Sequence, residues 1–308
     1  MGRRVFSRLT GLMALVAFVV SCGGARNPVP LPATRSAHTA ASKSWMKPGS
    51  SSNDLLYVGS PHTNEVYVFT FPDGEAVGKL TGFDDPMGLC SDTNGNVWIT
   101  NANYYGNGYL VEYAHGGTSP IATLQDTDST PDACSVDPGT GNLAAGNLNS
   151  DIAVYTNAKG SPTFYSTVGF MEDVRTITYD GSGNLYFRSF RAGNNKAMLP
   201  KGGSSVVPFG VKSTGSYQWD GRDLIVRKKA GYRVERYRLS GSRGTKVGKL
   251  HINGCGYWGN VSIAGSTLIS TCGSGVSLYK YPAGGDPTKT ISGFEFAYGV
   301  TVSVAPSH

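Results

Sequence analysis

Acidic and aromatic side chains recur at corresponding places along this chain, close to where short apolar runs begin. Carboxylates accept hydrogen bonds from hydroxyl or ammonium groups, and aromatic faces cover the apolar faces of a sugar ring. Together they would suit a sugar or a small cationic group; the alternative is that they are ordinary rim residues. The candidate ligand-binding residues are Asp85, Asp132, Asp173, Arg175, Tyr217, Tyr257, Trp258 and Tyr298.

Motifs for metal-dependent or nucleophilic catalysis are absent from the sequence. The five histidines are scattered, and neither H-E-x-x-H nor C-x-x-C spacing occurs. No G-x-S-x-G turn presents a nucleophilic serine. We therefore predict no catalytic residues and no cofactor.

A short turn followed by a short strand is repeated, which indicates how the candidate residues are positioned. Copies begin at Asp92 ("DTNGNVWITN"), Asp137 and Asp180, and weaker copies at Asp220 and Ala264, at intervals of 45, 43, 40 and 44 residues. Asp, Gly and Asn accept the left-handed backbone conformations that tight hairpins need. Each repeat supplies four antiparallel strands that form one sheet. Both apolar faces of such a sheet are shielded from water only if the sheets stack radially. A period of this length is typical of propeller blades.

The two ends of the repeat array complete one blade. Residues 54–83 supply three strands and residues 298–305 supply one, and their pairing would hide exposed strand edges. We therefore predict an all-β fold, a six-bladed β-propeller over residues 54–308, closed by pairing of the C-terminal strand with the N-terminal blade. Seven blades is the alternative. Loops that lead into the inner strands would ring one mouth of the central channel, where the candidate residues would meet.

Two of the repeats also carry a family resemblance. "GLCSDTNGNVWITN" (Gly88–Asn101) and "CSVDPGTGNLA" (Cys134–Ala144) resemble bacterial propellers of the NHL and gluconolactonase-like group, and more closely uncharacterised propeller lipoproteins. Gluconolactonase-like members hold one divalent cation on a Glu and a few Asn or Asp side chains in the channel. Here no Glu-Gly-Pro precedes an inner strand, and the nearest counterpart is Asp85-Pro86. No metal ligand is therefore assigned.

Function is less constrained than fold, because propellers include enzymes, sensors and binding scaffolds. We predict a noncatalytic binding or scaffold protein with a small-molecule or sugar site at the channel mouth. The alternative is a metal-dependent lactonase-like hydrolase, the only case in which a divalent cation such as calcium is expected. A third class would dock a partner protein through its blade faces.

The N-terminus has the plan of a bacterial lipoprotein leader. Residues 1–22 combine three arginines with an apolar run, as a signal peptide does. Val19–Cys22 resembles a lipobox, which implies that Cys22 is lipidated; ordinary signal cleavage is the alternative. Residues 23–53, rich in Pro, Ser, Ala and Gly, are predicted to be a flexible tether. We therefore expect a protein of the bacterial cell envelope that lies outside the cytoplasm and is anchored to a membrane by a lipid.

Four further cysteines fit an exported protein with disulfides. Cys90 and Cys134 lie on inner strands of neighbouring repeats, so they face each other across the gap or both point away. Cys255 and Cys272 fall near one rim. We predict the pairs Cys90–Cys134 and Cys255–Cys272, with buried free thiols as the alternative.

Positive charge is concentrated in one repeat. Without the leader the chain has 24 basic and 21 acidic residues, but residues 222–249 alone hold ten basic residues against two acids. Such a patch could meet an anionic surface or polymer, or simply be a solvated face. Export makes nucleic acid an improbable partner. We predict a monomer that contacts the membrane through a lipid on Cys22, and an envelope protein or a polysaccharide is a candidate further partner.

Overall fold

The fold is organised as sheets arranged around a central channel. The structure is a computed structural model that describes residues 43–103, 107–189, 196–228, 232–256 and 259–306. Cys22, the leader and most of the predicted tether lie outside the described residues. No helix in the described part of the chain is long and apolar enough to cross a membrane.

Each blade is an antiparallel sheet whose first strand is innermost, except that blade 1 is completed from the C-terminus. Blade 1 contains β1 (Trp45–Met46), β2 (Leu55–Ser60), β3 (Glu65–Thr70) and β4 (Ala76–Leu80). Blade 2 contains β5 (Pro86–Ser91), β6 (Val97–Asn101), β7 (Gly108–Tyr113) and β8 (Pro120–Asp126). Blade 3 contains β9 (Pro131–Val136), β10 (Leu143–Asn147), β11 (Asp151–Tyr155) and β12 (Thr163–Ser166).

The second half of the ring repeats this arrangement. Blade 4 contains β13 (Thr176–Tyr179), β14 (Leu185–Arg188), β15 (Lys196–Leu199) and β16 (Val207–Pro208). Blade 5 contains β17 (Gly215–Trp219), β18 (Leu224–Lys228), β19 (Arg233–Ser240) and β20 (Arg243–His251). Blade 6 contains β21 (Val261–Ala264), β22 (Thr267–Thr271), β23 (Gly273–Lys280) and β24 (Lys289–Ala297), and β25 (Val300–Ser303) follows it. Short 3-10 turns lie at Ser50–Ser52, Pro61–Thr63 and Thr156–Ala158.

The predicted ring closure is confirmed. Strand β25 pairs antiparallel with β2, Leu55 opposite Ser303 and Val58 opposite Val300, so it becomes the inner strand of blade 1. The fold is therefore the predicted six-bladed propeller.

Strand alternation explains why the blades stack. Leu55 and Tyr57 pack against blade 2, whereas Leu56 and Val58, on the opposite face of the same strand, pack against blade 6. Among the described residues, six such apolar clusters form, one at each junction between neighbouring blades. Every blade therefore buries both of its faces.

The repeated turn works as the sequence predicts. Asp92 Oδ1 accepts hydrogen bonds from the backbone N–H groups of Asn94 and Asn96 at 2.9 and 2.8 Å, and Gly95 has φ +82°. Asp180 forms the same pair of hydrogen bonds in blade 4. The carboxylate thus holds the turn that returns the chain from the inner strand to the second strand.

Both predicted disulfides are present. Cys90–Cys134 joins the inner strands β5 and β9 of blades 2 and 3, with 5.8 Å between the Cα atoms. Cys255–Cys272 joins the segment between β20 and β21 to the turn between β22 and β23, with a Cα separation of 5.2 Å. The facing arrangement of Cys90 and Cys134 is therefore the correct one of the two that the sequence allowed.

Strand β1 lies inside the range 23–53 that the sequence assigns to a tether. Trp45 is opposite Lys79 and Met46 is opposite Gly78, which makes β1 a fifth, outermost strand of blade 1. Here the free edge of β4 provides hydrogen-bonding partners to a segment with little apolar content of its own. Ordered structure therefore begins upstream of Asp54.

Candidate functional site

Four of the predicted residues meet at one end of the channel. The inner strands begin at this end, here called the N-terminal mouth. The Tyr298 hydroxyl donates to Asp132 Oδ2 at 2.9 Å, and Arg175 Nη1 lies 3.8 Å from the same oxygen. Arg175 Nε donates to Asp173 Oδ2 at 2.8 Å, and Asp173 Oδ1 accepts a hydrogen bond from Ser189. We call Asp132, Asp173, Arg175, Ser189 and Tyr298 the mouth cluster.

The mouth cluster is assembled from separate blades. Tyr298 precedes β25 of blade 1, Asp132 lies in β9 of blade 3, and Arg175 precedes β13 of blade 4. Tyr298 therefore reaches past blade 2, whose inner strand carries Gly88 at the closest approach to blade 3. A Cβ atom on Gly88 would lie 2.6 Å from the Cα atom of Ala133 and 2.8 Å from Asp132 O. The absence of a side chain allows the inner strands to pack this closely.

Burial controls the protonation of the mouth cluster. Asp132 has no exposed surface, and desolvation raises its pKa to about 7, against the opposing effects of Arg175 and the Tyr298 hydrogen bond. Burial and the nearby Asp132 raise the pKa of Tyr298 well above its usual value. For Arg175, burial favours the neutral form, but Asp132 and Asp173 outweigh it and raise its pKa. Arg175 therefore remains a cation beside two carboxyl groups, one of which takes up a proton near neutral pH.

The mouth cluster does not suit the divalent cation of gluconolactonase-like propellers. The guanidinium of Arg175 already lies against both Asp132 and Asp173, so a metal ion there would be repelled by a fixed positive charge. Nowhere in the described residues do three or more His, Cys, Asp or Glu side chains form a group able to hold a metal.

An aromatic row continues from the cluster onto the rim of blade 1. The His62 and Phe296 rings stack with centroids 5.0 Å apart and 23° between their planes, and the Phe296 and Tyr298 centroids are 6.0 Å apart. His62 is exposed, while Phe296 and Tyr298 are partly exposed. We call these three rings the ring row. Their accessible faces could cover the apolar face of a sugar.

Asp85 lies beside the ring row rather than in the mouth cluster. Its backbone N–H donates to Asn64 Oδ1 at 2.9 Å, and its φ is +58°. Burial and the neighbouring Asp84 raise the pKa of Asp85, while His62 opposes the shift. Asp85 therefore places a carboxyl group next to the exposed imidazole.

Among the remaining predicted residues the structure describes Tyr217 alone, and its ring lies outside the mouth cluster. Tyr217 is 3% exposed and packs in the apolar cluster between blades 4 and 5, with its ring 6.3 Å from that of Phe209. It is the third residue of β17, so its side chain points into the blade junction. Tyr257 and Trp258 lie outside the described residues.

The sequence did not indicate His62, Phe296 or Ser189. Phe296 lies two residues before Tyr298, a spacing that places alternate side chains of an extended segment on one face. That spacing could have indicated that Phe296 lies beside Tyr298. His62 and Ser189 carried no comparable pattern, because their proximity depends on neighbouring loops.

The two ends of the channel differ in size. Near the mouth cluster the channel holds a cavity of about 40 Å³, lined by Asp132, Arg175 and Asn260 among others. A cavity of about 560 Å³ lies at the opposite end, where the inner strands finish. Hydroxyl groups there already join inner strands: Ser91 Oγ donates to Val302 O at 2.8 Å. The wide end thus offers room, and the narrow end offers convergent polar groups.

Part of the predicted basic patch is internal. Arg227 is 1% exposed and donates to Cys255 O at 3.0 Å. Arg236 and Arg238 both pair with the buried Asp223, at 2.8 and 2.5 Å. These arginines support blade 5 and its contact with blade 6, so the free positive surface is smaller than the sequence suggests.

Comparison with known proteins supports the fold alone. A crystal structure of a protein of unknown function from Bacteroides caccae is similar, with a TM-score of 0.64 and 13% identity, covering 82% of this chain and 99% of that one. No protein-family model matches the sequence, and no curated protein does. The resemblance to NHL and gluconolactonase-like propellers therefore stays a prediction.

Proposed function

We propose that this chain is a lipid-anchored propeller of the cell envelope that binds a sugar or similar small polar molecule, without catalysis, at the N-terminal mouth. The observation that carries the proposal is the convergence of Tyr298, Asp132 and Arg175 from three blades beside the partly exposed ring row. Buried polar groups gathered at a channel mouth are typical of binding sites.

The chemistry of the site favours a hydroxylated ligand. Phe296 and His62 offer ring surfaces, Asp85 offers an acceptor near His62, and Arg175 offers a donor beside Asp132. Sugars combine apolar ring faces with hydroxyl groups that both donate and accept. A small cation would instead meet the positive charge of Arg175, which makes it the weaker of the two ligands first considered.

The location outside the cytoplasm rests on two features. Disulfides Cys90–Cys134 and Cys255–Cys272 are typical of oxidising compartments. The sequence of residues 1–22 resembles a lipoprotein leader that ends at Cys22. Together they support export followed by lipid anchoring.

Binding is tested with the full chain on an array of neutral, amino and uronic acid sugars, followed by titration calorimetry. Replacing Phe296 by Ala removes the central ring of the ring row, and we expect about a tenfold loss of affinity from lost stacking. Phe164→Ala is the matched control, because Phe164 is 45% exposed on β12, an outer strand of blade 3. Binding that is absent, or equally weakened by both changes, would count against this site.

A hydrolase is the second candidate, and one observation favours it. A carboxyl group with a pKa of about 7, as burial gives Asp132, can take up or release a proton at neutral pH. Opening of a sugar lactone that is lost in Asp132→Asn would favour this alternative over simple binding. The position of Arg175 gives no support to a metal-dependent form.

A further inference from the structure

A second acidic pair, of which one member is buried, lies outside the channel, where blades 2 and 3 meet. Asp126 is the last residue of β8 and Asp151 is the first of β11. Asp126 has no exposed surface, whereas Asp151 is partly exposed. Among the described residues, no lysine or arginine forms an ion pair with either carboxyl group.

Two neutral oxygen-bearing side chains complete the group. Asn147 Nδ2 donates to Asp151 Oδ1 at 2.6 Å, and the Ser129 hydroxyl donates to Asp151 Oδ2 at 3.4 Å. Asn147 is fully buried and Ser129 is 3% exposed. The backbone N–H of Ser129 donates to the carbonyl of Asp126 at 3.1 Å, which fixes the loop between blades 2 and 3.

Three oxygens in this group lack a hydrogen-bond donor in the described structure: both carboxylate oxygens of Asp126 and Asn147 Oδ1. Leaving a buried carboxylate without a donor or a cation is costly. Burial and the nearby Asp151 raise the pKa of Asp126 to about 7, although the Asn147 amide lies near enough to oppose the shift. Burial also raises the pKa of Asp151.

We propose that Asp126, Ser129, Asn147 and Asp151 form a binding site for one hard divalent cation, such as calcium. Calcium takes six to eight oxygen ligands from carboxylates, amide carbonyls, hydroxyls and water. The four side chains supply up to six oxygens, and water reaching the partly exposed Asp151 can supply the rest. Zinc, which prefers nitrogen and sulfur ligands, has none here.

The ion would join two blades. Asp126 belongs to blade 2, whereas Asn147 and Asp151 belong to blade 3, and the Cys90–Cys134 disulfide crosses the same junction nearer the channel. In the mouth cluster, by contrast, Arg175 supplies the positive charge between carboxyl groups. The absence of such a residue beside Asp126 and Asp151 in the described structure distinguishes this site from the channel.

The test is calcium-dependent melting of the purified full chain, first stripped with EDTA and then compared at constant ionic strength and pH 7.5. Calcium at a hundredfold excess over its dissociation constant should raise the Tm by about 5–10 °C. Asp126→Asn should remove this shift. The same variant should melt no lower than the parent without calcium, because it loses the repulsion between the buried Asp126 carboxylate and Asp151.

Asp128→Asn is the matched control, since Asp128 is an exposed acid in the same loop, and it should keep the calcium shift. Calorimetric titration with calcium and magnesium gives a second readout that does not depend on melting. A Tm that responds to no divalent ion, or to zinc alone, overturns the proposal. So does an equal calcium shift in Asp126→Asn, or stabilisation by mild acid alone, which would mean that the pair shares a proton.

Discussion

At the scale of single residues, burial strongly changes the chemistry of Asp132. It is fully buried at the channel mouth, with one phenol and one guanidinium as polar neighbours. These neighbours favour its charged form, but desolvation is the larger effect. Its carboxyl group therefore holds its proton more tightly in the folded protein than in the unfolded chain.

This raised pKa predicts how Asp132 affects stability with pH. The Asp132 carboxyl has a pKa of about 7 in the folded protein and about 4 in the unfolded chain. Its protonation therefore contributes to the unfolding free energy, and this contribution is fully present below about pH 4. That contribution is lost as the pH rises to about 7. The unfolding free energy of the parent minus that of Asp132→Asn should fall over this range, by at most about 4 kcal/mol.

Urea denaturation between pH 5 and pH 8 measures this difference, and contributions from other groups cancel in the subtraction. Asp73→Asn is the control, because Asp73 is an exposed acid in a hairpin turn. A difference that stays flat or rises with pH would show that Asp132 is ionised throughout and that its pairing with Arg175 dominates.

Sequence reasoning named some of the side chains that meet at the mouth and missed others. Asp132, Arg175 and Tyr298 were predicted because each lies just before or at the start of an inner strand. The starts of the inner strands all lie at the same end of the channel. Tyr217 was predicted there as well, but β17 begins two residues earlier, and alternation turns the ring into the blade junction. The contact of His62 with Phe296 joins the Pro61–Thr63 turn of blade 1 to β24 of blade 6, and no local pattern encodes it.

At the scale of elements, the close approach of inner strands β5 and β9 depends on Gly88. A methyl group there would lie 2.6 Å from the Cα atom of Ala133, and backbone atoms cannot move aside as a flexible side chain can. Gly88→Ala should therefore lower the unfolding free energy by about 3 kcal/mol. Chemical denaturation at fixed pH measures the loss.

The control is Gly139→Ala in the turn after β9. A Cβ atom there would meet only Asp137 Oδ1, at 3.6 Å, so the change should be close to neutral. Equal stability of the two variants would mean that the inner strands can separate without cost.

Turns and strands were predictable where each repeat encodes its own geometry. The Asp92 and Asp180 turns follow from the short side chain that accepts two backbone hydrogen bonds and the glycine that follows. Strand β1 was missed because its pairing depends on the open edge of β4 rather than on Trp45 and Met46 themselves. Edge strands of this kind are determined by their partner.

At the scale of the whole molecule, six equivalent junctions account for the success of the fold prediction. Each blade has two apolar faces, and only a closed ring gives every face a neighbour. The same repetition leaves function unspecified, because the blades share a core and differ mainly in their loops.

The proposed lipid anchoring depends on Cys22, which lies outside the described residues. If Cys22 carries the lipid, Cys22→Ser should abolish incorporation of labelled fatty acid and release the protein from the membrane fraction. The released protein should melt as the parent does, since Cys22 precedes every strand of the described propeller. Cys255→Ser serves as the control for removing a cysteine, and it should keep the label. Labelling that persists in Cys22→Ser would contradict the anchor.

The pairing of β2 with β25 also affects how the protein is made. Leu55 pairs with Ser303, which is close to the other end of the propeller sequence. Nearly the whole domain must therefore be synthesised before blade 1 can receive its inner strand, β25. Until then the facing apolar surfaces of blades 1 and 6 cannot pack against each other, and the ring stays open. If the protein is exported as proposed, passage through a narrow pore would have to precede ring closure, and the closed ring would then be too wide to return.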